Sequence, residues 1–395
     1  MSVLPTILWL LAAAVLMPLA VFCTECLLSL PRRSKRARQA PAKRPRIAVV
    51  IPAHDEEQII GQTVACVVGQ LAPDDQLLVV ADNCTDSTAR VAAAAGAVVI
   101  ERHDADRRGK GYALDFGISW LRRHPPQVVV FLDADCRVEE GCIESLAETV
   151  AESGRPAQAV YLLAPPAQPS VRDQLSALAF LVKNLVRPLG LRRLGGPCVL
   201  TGTGMAFPWQ VIADAPLASG NIVEDMQLGV DLAIAGYPAI LADAATVRGQ
   251  LPQGAQIAAT QRRRWEHGHL QTLLTQAPRL LGQALLQRRW DLLAMAMDLA
   301  VPPLALLVML WALITAAAAA AWWLAGIGGP LLAMLGGGLL LLLAVVAAWA
   351  RFGRGIMPAR ALLAVPLYVI WKLPLYAAFL FHREKAWVRT RRQEG

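Results

Sequence analysis

Three stretches without a single charged residue constrain this chain more than anything else in it: 3–23, 304–325 and 330–350. At about 1.5 Å per residue each is long enough for a helix to cross a hydrocarbon core of roughly 30 Å. A hydrophobic content of 55% over 395 residues and a mean hydropathy of +0.43 are too high for a purely soluble protein, so an integral membrane protein is expected. A cleaved signal peptide would carry its positive charge before the first apolar run; here the basic residues follow it, in PRRSKRARQAPAKRPR (31–46). Residues 1–30 therefore read as a retained anchor and 31–45 as a basic juxtamembrane linker. The positive-inside rule puts that linker in the cytoplasm, with the chain in the inner (cytoplasmic) membrane. The stretch 31–46 holds eight Lys and Arg and no acid, equal to the formal net charge of +8 for the whole chain. Anionic lipid headgroups account for this basic balance, and no nucleic-acid partner is expected from it.

A fourth apolar stretch, 361–381, is interrupted by Pro366, Lys372 and Pro374 and followed by the basic HREKAWVRTRR. With GIGG (326–329) as an external turn between the second and third runs, that tail stays inside only if 361–381 is interfacial or re-entrant. Three spans are expected rather than four. Two further segments, 168–193 and 256–274, are amphipathic and basic, as helices lying in an interface are. The seven cysteines are irregularly spaced. Cys23 and Cys26 form a lone CxxC with no second pair to complete a zinc site, so all seven are expected as reduced thiols.

Between the anchor and the later spans the pattern changes. RIAVVIPAH (46–54), QLLVVADN (76–83), AVVIERH (97–103) and QVVVFLDAD (127–135) are apolar, β-branched runs, each followed by a helical pattern. Such a series predicts an α/β domain with a mostly parallel sheet covered by helices on both faces. Ligands bind beyond the carboxyl ends of the strands in such sheets, and the polar residues sit there: His54, Asp55, Glu56, then Asp82 and Asn83, then Asp133 and Asp135.

In Asp133-Ala134-Asp135 the side chains at i and i+2 of an extended segment point the same way, so both carboxylates can face one cation. Hard oxygen donors of this kind suit Mg2+ or Mn2+; an isolated DxD is more often a solvated turn or a helix cap, but this one stands at the end of the run VVVFL, where carboxylates sit at the mouth of a crevice. Asp82 is placed like them one unit earlier; Thr85 or Asp86 could equally cap the following helix. Lys110, between two glycines in RRGKGYAL, reads as a basic loop entering a helix, and no P-loop is present. VLTGTGMAF (199–207) is strand-like but carries Gly202 and Gly204, which mark a bulge or close backbone approach. NIVEDMQLGVDLAIAGY (221–237) reads as a helix with Glu224 and Asp225 in its first turn, as dipole partners or, for Asp225, as a general base. Finally QRRRWEHG (261–268) sets three arginines and a tryptophan before the longest apolar stretches. His267 and His269 share no helix face and belong to no HExxH, so they read as structural.

The ordered set VADN (Asp82), DAD (Asp133, Asp135), VED (Asp225) and QRRRW (Gln261, Arg264, Trp265) resembles the D, DxD, D, QxxRW signature of membrane-bound family 2 glycosyltransferases with the GT-A fold. The synthase branch in view includes chitooligosaccharide, poly-N-acetylglucosamine, hyaluronan and cellulose synthases. The resemblance covers roughly residues 46–270. It implies a GT-A domain over 46–255, interfacial helices with QxxRW over 256–290 and a C-terminal membrane region over 291–395. It further implies that Asp82, with Glu56 and Lys110, contacts the nucleotide, and that Asp133 and Asp135 hold the diphosphate and a Mg2+ or Mn2+ ion, Asp135 as its direct ligand. Gln261 and Arg264 would bind diphosphate, while Gly202, Thr203, Gly204, Glu224 and Trp265 would line the acceptor. Asp225 would be the base of an inverting transfer from a UDP-sugar. The acceptor would be a growing glycan, as in exopolysaccharide synthesis, or a membrane lipid receiving one sugar. A second copy of the chain or an export partner is compatible with this arrangement.

Overall fold

The structure is a computed structural model and describes residues 3–31, 44–218, 224–251 and 255–381. Most of the basic linker, the residues just before Glu224 and the tail after 381 lie outside the described residues. The chain divides into two compact units. One comprises Arg33–Ala164, Pro197–Ala258 and Lys385–Gly395; the other comprises Met1–Arg32, Pro165–Gly196 and Ala259–Glu384. Residues 165–196 thus leave the sheet-bearing unit although the sequence runs straight through it.

The first unit is built on an eight-stranded sheet. Its strands are β1 Ile47–Ala53, β2 Gln76–Asp82, β3 Val98–Arg102, β4 Val128–Phe131, β5 Arg137–Val138, β6 Ala157–Ala164, β7 Met205–Pro208 and β8 Ile240–Gln250. They lie in the order β3-β2-β1-β4-β7-β6-β8-β5. The four β-branched runs form β1 to β4, all mutually parallel, with Val50 opposite Leu78 on one side and Phe131 on the other. Side chains on both faces of β1 are buried, which is why that run is continuously apolar rather than alternating. Helix Ile60–Val68 buries Ile60, Val64 and Val67 at helical spacing, and with Ile143 and Leu146 of helix Cys142–Ser153 they share a core with Val49, Ile51 and Val130. Helix Lys110–Leu121 covers the opposite face, its Gly117 close against Val50 and Val80.

Beyond β4 the sheet is mixed. β7 is antiparallel to both β4 and β6, and β8 runs parallel to β6. Of the strand-like run 199–207 only the end from Met205 enters β7. Gly202 and Gly204 take φ of +89° and +65°, which interrupts the extended path. A Cβ on Gly204 would stand 2.8 Å from Val247 Cγ2 and 2.9 Å from Ala159 Cβ, so the loop lies tightly against β8 and β6.

The second unit is helical. Among the described residues, four of its segments are long and apolar enough to cross a membrane: Val3–Ser29, Leu304–Ala325, Gly329–Gly353 and Ala359–Phe379. The first three contain the charge-free runs. The fourth is less apolar than the others, and it is broken into a 3-10 turn Ala359–Ala364 and helices Val365–Trp371 and Leu373–Phe381. Ala12 and Val15 of the first helix pack on Met334. Near that helix's end, Arg187 Nε lies 2.6 Å from Glu25 Oε2, and its Nη2 lies 2.6 Å from Asp298 Oδ1. The three side chains are only 7%, 2% and 14% exposed, so this ion cluster is almost dry. All seven cysteines are free.

Candidate active site

The carboxyl ends of β1, β2 and β4 carry the polar groups. The two loops after β1 and β2 turn through a left-handed residue, Asp55 and Asn83, each with φ of +51°; Asx side chains tolerate that region better than most. Asp55 accepts from the Thr85 amide at 2.7 Å, and the Glu56 amide donates to Thr88 Oγ1 at 2.7 Å. His54 Nδ1 lies 2.7 Å from the Asp82 carbonyl oxygen. The helix after β2 begins at Thr88, with Ser87 at its N-cap; the Thr88 amide donates to Asp86 at 2.9 Å, so Asp86 and not Asp82 takes the helix's first amide. The Asp82 carboxylate is buried against Arg102 of β3, with Nη1 to Oδ1 at 2.6 Å. Arg102 also lies 5.6 Å from the Tyr112 ring centroid. Nothing in the spacing of the sequence had pointed to Arg102.

At the end of β4 the DxD meets a lysine and a glycine loop. The Asp133 amide donates to Thr203 Oγ1 at 3.0 Å, and the Lys110 ammonium donates to Asp133 Oδ1 and, at 2.5 Å, to the Gly202 carbonyl oxygen. Asp225, in the first turn of helix Glu224–Ile234, reaches the same loop: a Cβ on Gly202 would lie 3.1 Å from its Oδ2 and 3.5 Å from Lys110 Nζ. Gly202 is thus required both by its positive φ and by the carboxylate beside it. Lys110 is no loop residue but the first of a helix, and it joins Asp133 to the loop that Asp225 abuts. Asp133, Asp225, Glu224, Lys110, Gly202 and Thr203 are therefore neighbours.

Electrostatics follow from this crowding. Burial pulls the Lys110 ammonium down, but the carboxylates of Asp133, Glu224 and Asp225 outweigh it and hold it above its ordinary value. Burial, with Asp225 adjacent, pushes Glu224 up to about 7, with Lys110 opposing. Ligand atoms of Asp133, Asp135 and Cys136 lie within 4.8 Å of one another. Two carboxylates at that spacing fit a hard divalent cation; burial keeps the Cys136 thiol protonated, its pKa pushed well up, and Sγ donates to Asp135 Oδ1 at 3.7 Å. A similar group, Asp55, Cys84 and Asp86, stands by the first two strands; Asp55 and Asp86 there are occupied by loop amides.

Gln261, Arg264 and Trp265 belong to the helical unit, on the helix Ala255–Gln287. Trp265 stacks at a tilt on Phe180, ring centroids 5.9 Å apart. The neighbouring Arg262 and Arg172 lie over the Trp371 ring at 5.2 and 4.9 Å, and Glu266 pairs with Lys372. His267 Nε2 contacts the Leu375 carbonyl oxygen at 3.1 Å and the ring meets Phe379 edge-on, while burial keeps His269 well below its ordinary value. Both are packing residues.

Residues 45–268 match the family described as Glycosyltransferase like family 2. A stretch of 92 residues, 22% of this chain, is 36% identical to a 4,4'-diaponeurosporenoate glycosyltransferase of Staphylococcus aureus (strain bovine RF122 / ET3-1). It spans 24% of that protein, so the chain matches about a quarter of the curated relative's length. The mannosyltransferase PcManGT from Pyrobaculum calidifontis, solved in complex with GDP-Man and Mn2+, superposes with a TM-score of 0.57 at 20% identity, over 97% of this chain and 100% of that one. The likeness to that structure is one of fold.

Proposed function

We propose, because this chain belongs to the glycosyltransferase like family 2, that it moves a hexose or N-acetylhexosamine from a nucleotide sugar to an acceptor hydroxyl, inverting the anomeric carbon in one displacement. The observation that carries this reading is the meeting of Asp133, Lys110, Gly202 and Asp225 at the end of β4. Asp225 stands as the base that takes the proton from the attacking hydroxyl. Asp82 and Arg102, with Glu56, are assigned to the nucleotide; Lys110 supplies a fixed positive charge beside the departing diphosphate. Asp133 and Asp135 would hold a Mg2+ or Mn2+ ion, whose chemistry when bound is to neutralise charge on that diphosphate. Gln261 and Arg264 are assigned to diphosphate, and Trp265 with Thr203, Gly204 and Glu224 to the acceptor, on the family resemblance.

The first acceptor proposed is a growing glycan. A membrane lipid is the second, favoured by the relative named for diaponeurosporenoate. Incubating the purified protein with labelled nucleotide sugars decides between them. A lengthening, water-soluble product supports the glycan, and a product one sugar long that partitions into organic solvent supports the lipid. Failure to transfer from any donor would remove both.

A further inference from the structure

We propose that Gln158 is a positioning residue for the donor site, acting through the 201–204 loop on Asp133 and Lys110; this rests on the glycosyltransferase reading above. Gln158 lies inside β6, opposite Met205 of β7 and Leu241 of β8, and is 2% exposed. Its neighbours on the strand, Ala157, Ala159 and Val160, are buried and apolar. A polar side chain in such a place destabilises the sheet unless every group is matched, so a residue that served packing alone would be apolar here.

Both ends of the amide are used on the loop. Nε2 donates to the Thr203 carbonyl oxygen at 2.9 Å and to the Ala159 carbonyl oxygen at 2.9 Å, while Oε1 accepts from the Thr201 amide at 2.9 Å. The loop residues are outside any strand, and the side chain supplies partners that a ladder would otherwise give them. A primary amide donates and accepts without charge; a carboxylate lacks the donor and a thioether lacks both strong functions. The loop so held does two things for the site: Thr203 Oγ1 takes the Asp133 amide, and the Gly202 carbonyl oxygen takes the Lys110 ammonium. Release of the clamp frees the first DxD carboxylate and its lysine to move together.

The test uses the full-length protein in detergent with two substitutions, Gln158→Met and Gln158→Glu, and Thr203→Val as a third. Binding of Mn2+ is read from the electron paramagnetic resonance of the free ion, with UDP or GDP added, alongside Tm, kcat and donor KM. The expected result is a Gln158→Met protein that folds with a lowered Tm, because the Thr203 carbonyl and Thr201 amide lose their partner. Well below that Tm it binds Mn2+ about tenfold more weakly with kcat lowered by a similar factor, the range seen when a supporting residue is lost behind a metal ligand. Thr203→Val should weaken Mn2+ binding likewise, and the double variant should be little worse than the poorer single one. Should Gln158→Met not fold, Gln158→Glu with Thr203→Val carries the same cycle. Wild-type Mn2+ affinity in a folded Gln158 variant, or losses that multiply independently, overturns the positioning role. A wild-type protein that itself binds no Mn2+ with either nucleotide overturns the donor-site reading and this proposal with it.

Discussion

Asp225 and Glu224 are adjacent in the chain and differ in what they do with a proton. Asp225→Asn keeps the shape and removes the acceptor, so nucleotide binding should persist while kcat falls by about 10² to 10⁴; unchanged turnover would strip Asp225 of the role. Glu224 rises from its ordinary 4.5 to about 7. A raised acid binds its proton more tightly when folded, so its stabilisation is complete below 4.5 and is lost as pH climbs toward 7. Glu224→Gln has no proton to lose; its Tm relative to wild type should therefore improve steadily across that window in thermal scans, and a flat difference would contradict the burial argument. The DxD was readable from its place after the apolar run VVVFL, but its geometry was not. The strand ends at Phe131, and residues 134 and 135 form a turn, not the extended segment expected, with ligand atoms of the two carboxylates within 4.8 Å of one another. Arg102 and Gln158 were not readable: the first answers a carboxylate 20 positions away, and the second answers backbone atoms 43 and 45 positions away. Residue type and spacing carry no trace of such partners.

Among elements, β1 to β4 were legible as β-branched runs bounded by turn residues. β8 was not, because ILADAATVRGQ is rich in Ala with Asp and Gly, poor strand formers; it is a strand because β6 and β5 pair with it on either side. The segment Ala359–Phe379 shows the converse, apolar enough to suggest a span yet tied by polar contacts midway. Lys372 pairs with Glu266, Tyr368 hydroxyl lies 3.1 Å from Ser176 Oγ, and two guanidiniums lie over Trp371. Leu363, Leu367 and Ile370 face outward, 85%, 71% and 59% exposed, as a stripe for lipid on the other side. Charges at the centre of a bilayer are costly, so the segment is expected to lie in the interface. A reporter fused after residue 395 should then report the same side of the membrane as one inserted in the 31–46 linker; opposite sides would make it a fourth crossing.

At the scale of the molecule, the assignment of Asp133 and Asp135 to a divalent cation predicts that transfer depends on that ion. Activity should vanish with EDTA and return with Mn2+ or Mg2+, whereas chelator-insensitive transfer would count against those two residues as ligands. The division of the chain was only half visible beforehand. Residues 168–193 read as an amphipathic, basic interfacial segment, but the membership of 165–196 in the helical unit was not legible; there Arg187 meets Glu25 and Asp298, three charges far apart along the sequence. That meeting sets a limit on engineering. Deleting the first 30 residues to obtain a soluble enzyme would remove Glu25 together with the helix that packs on Arg187–Arg193, leaving the guanidinium paired with Asp298 alone and opened to water. A truncated version that survives in solution will need the face of helix Arg187–Arg193 uncovered in this way made polar.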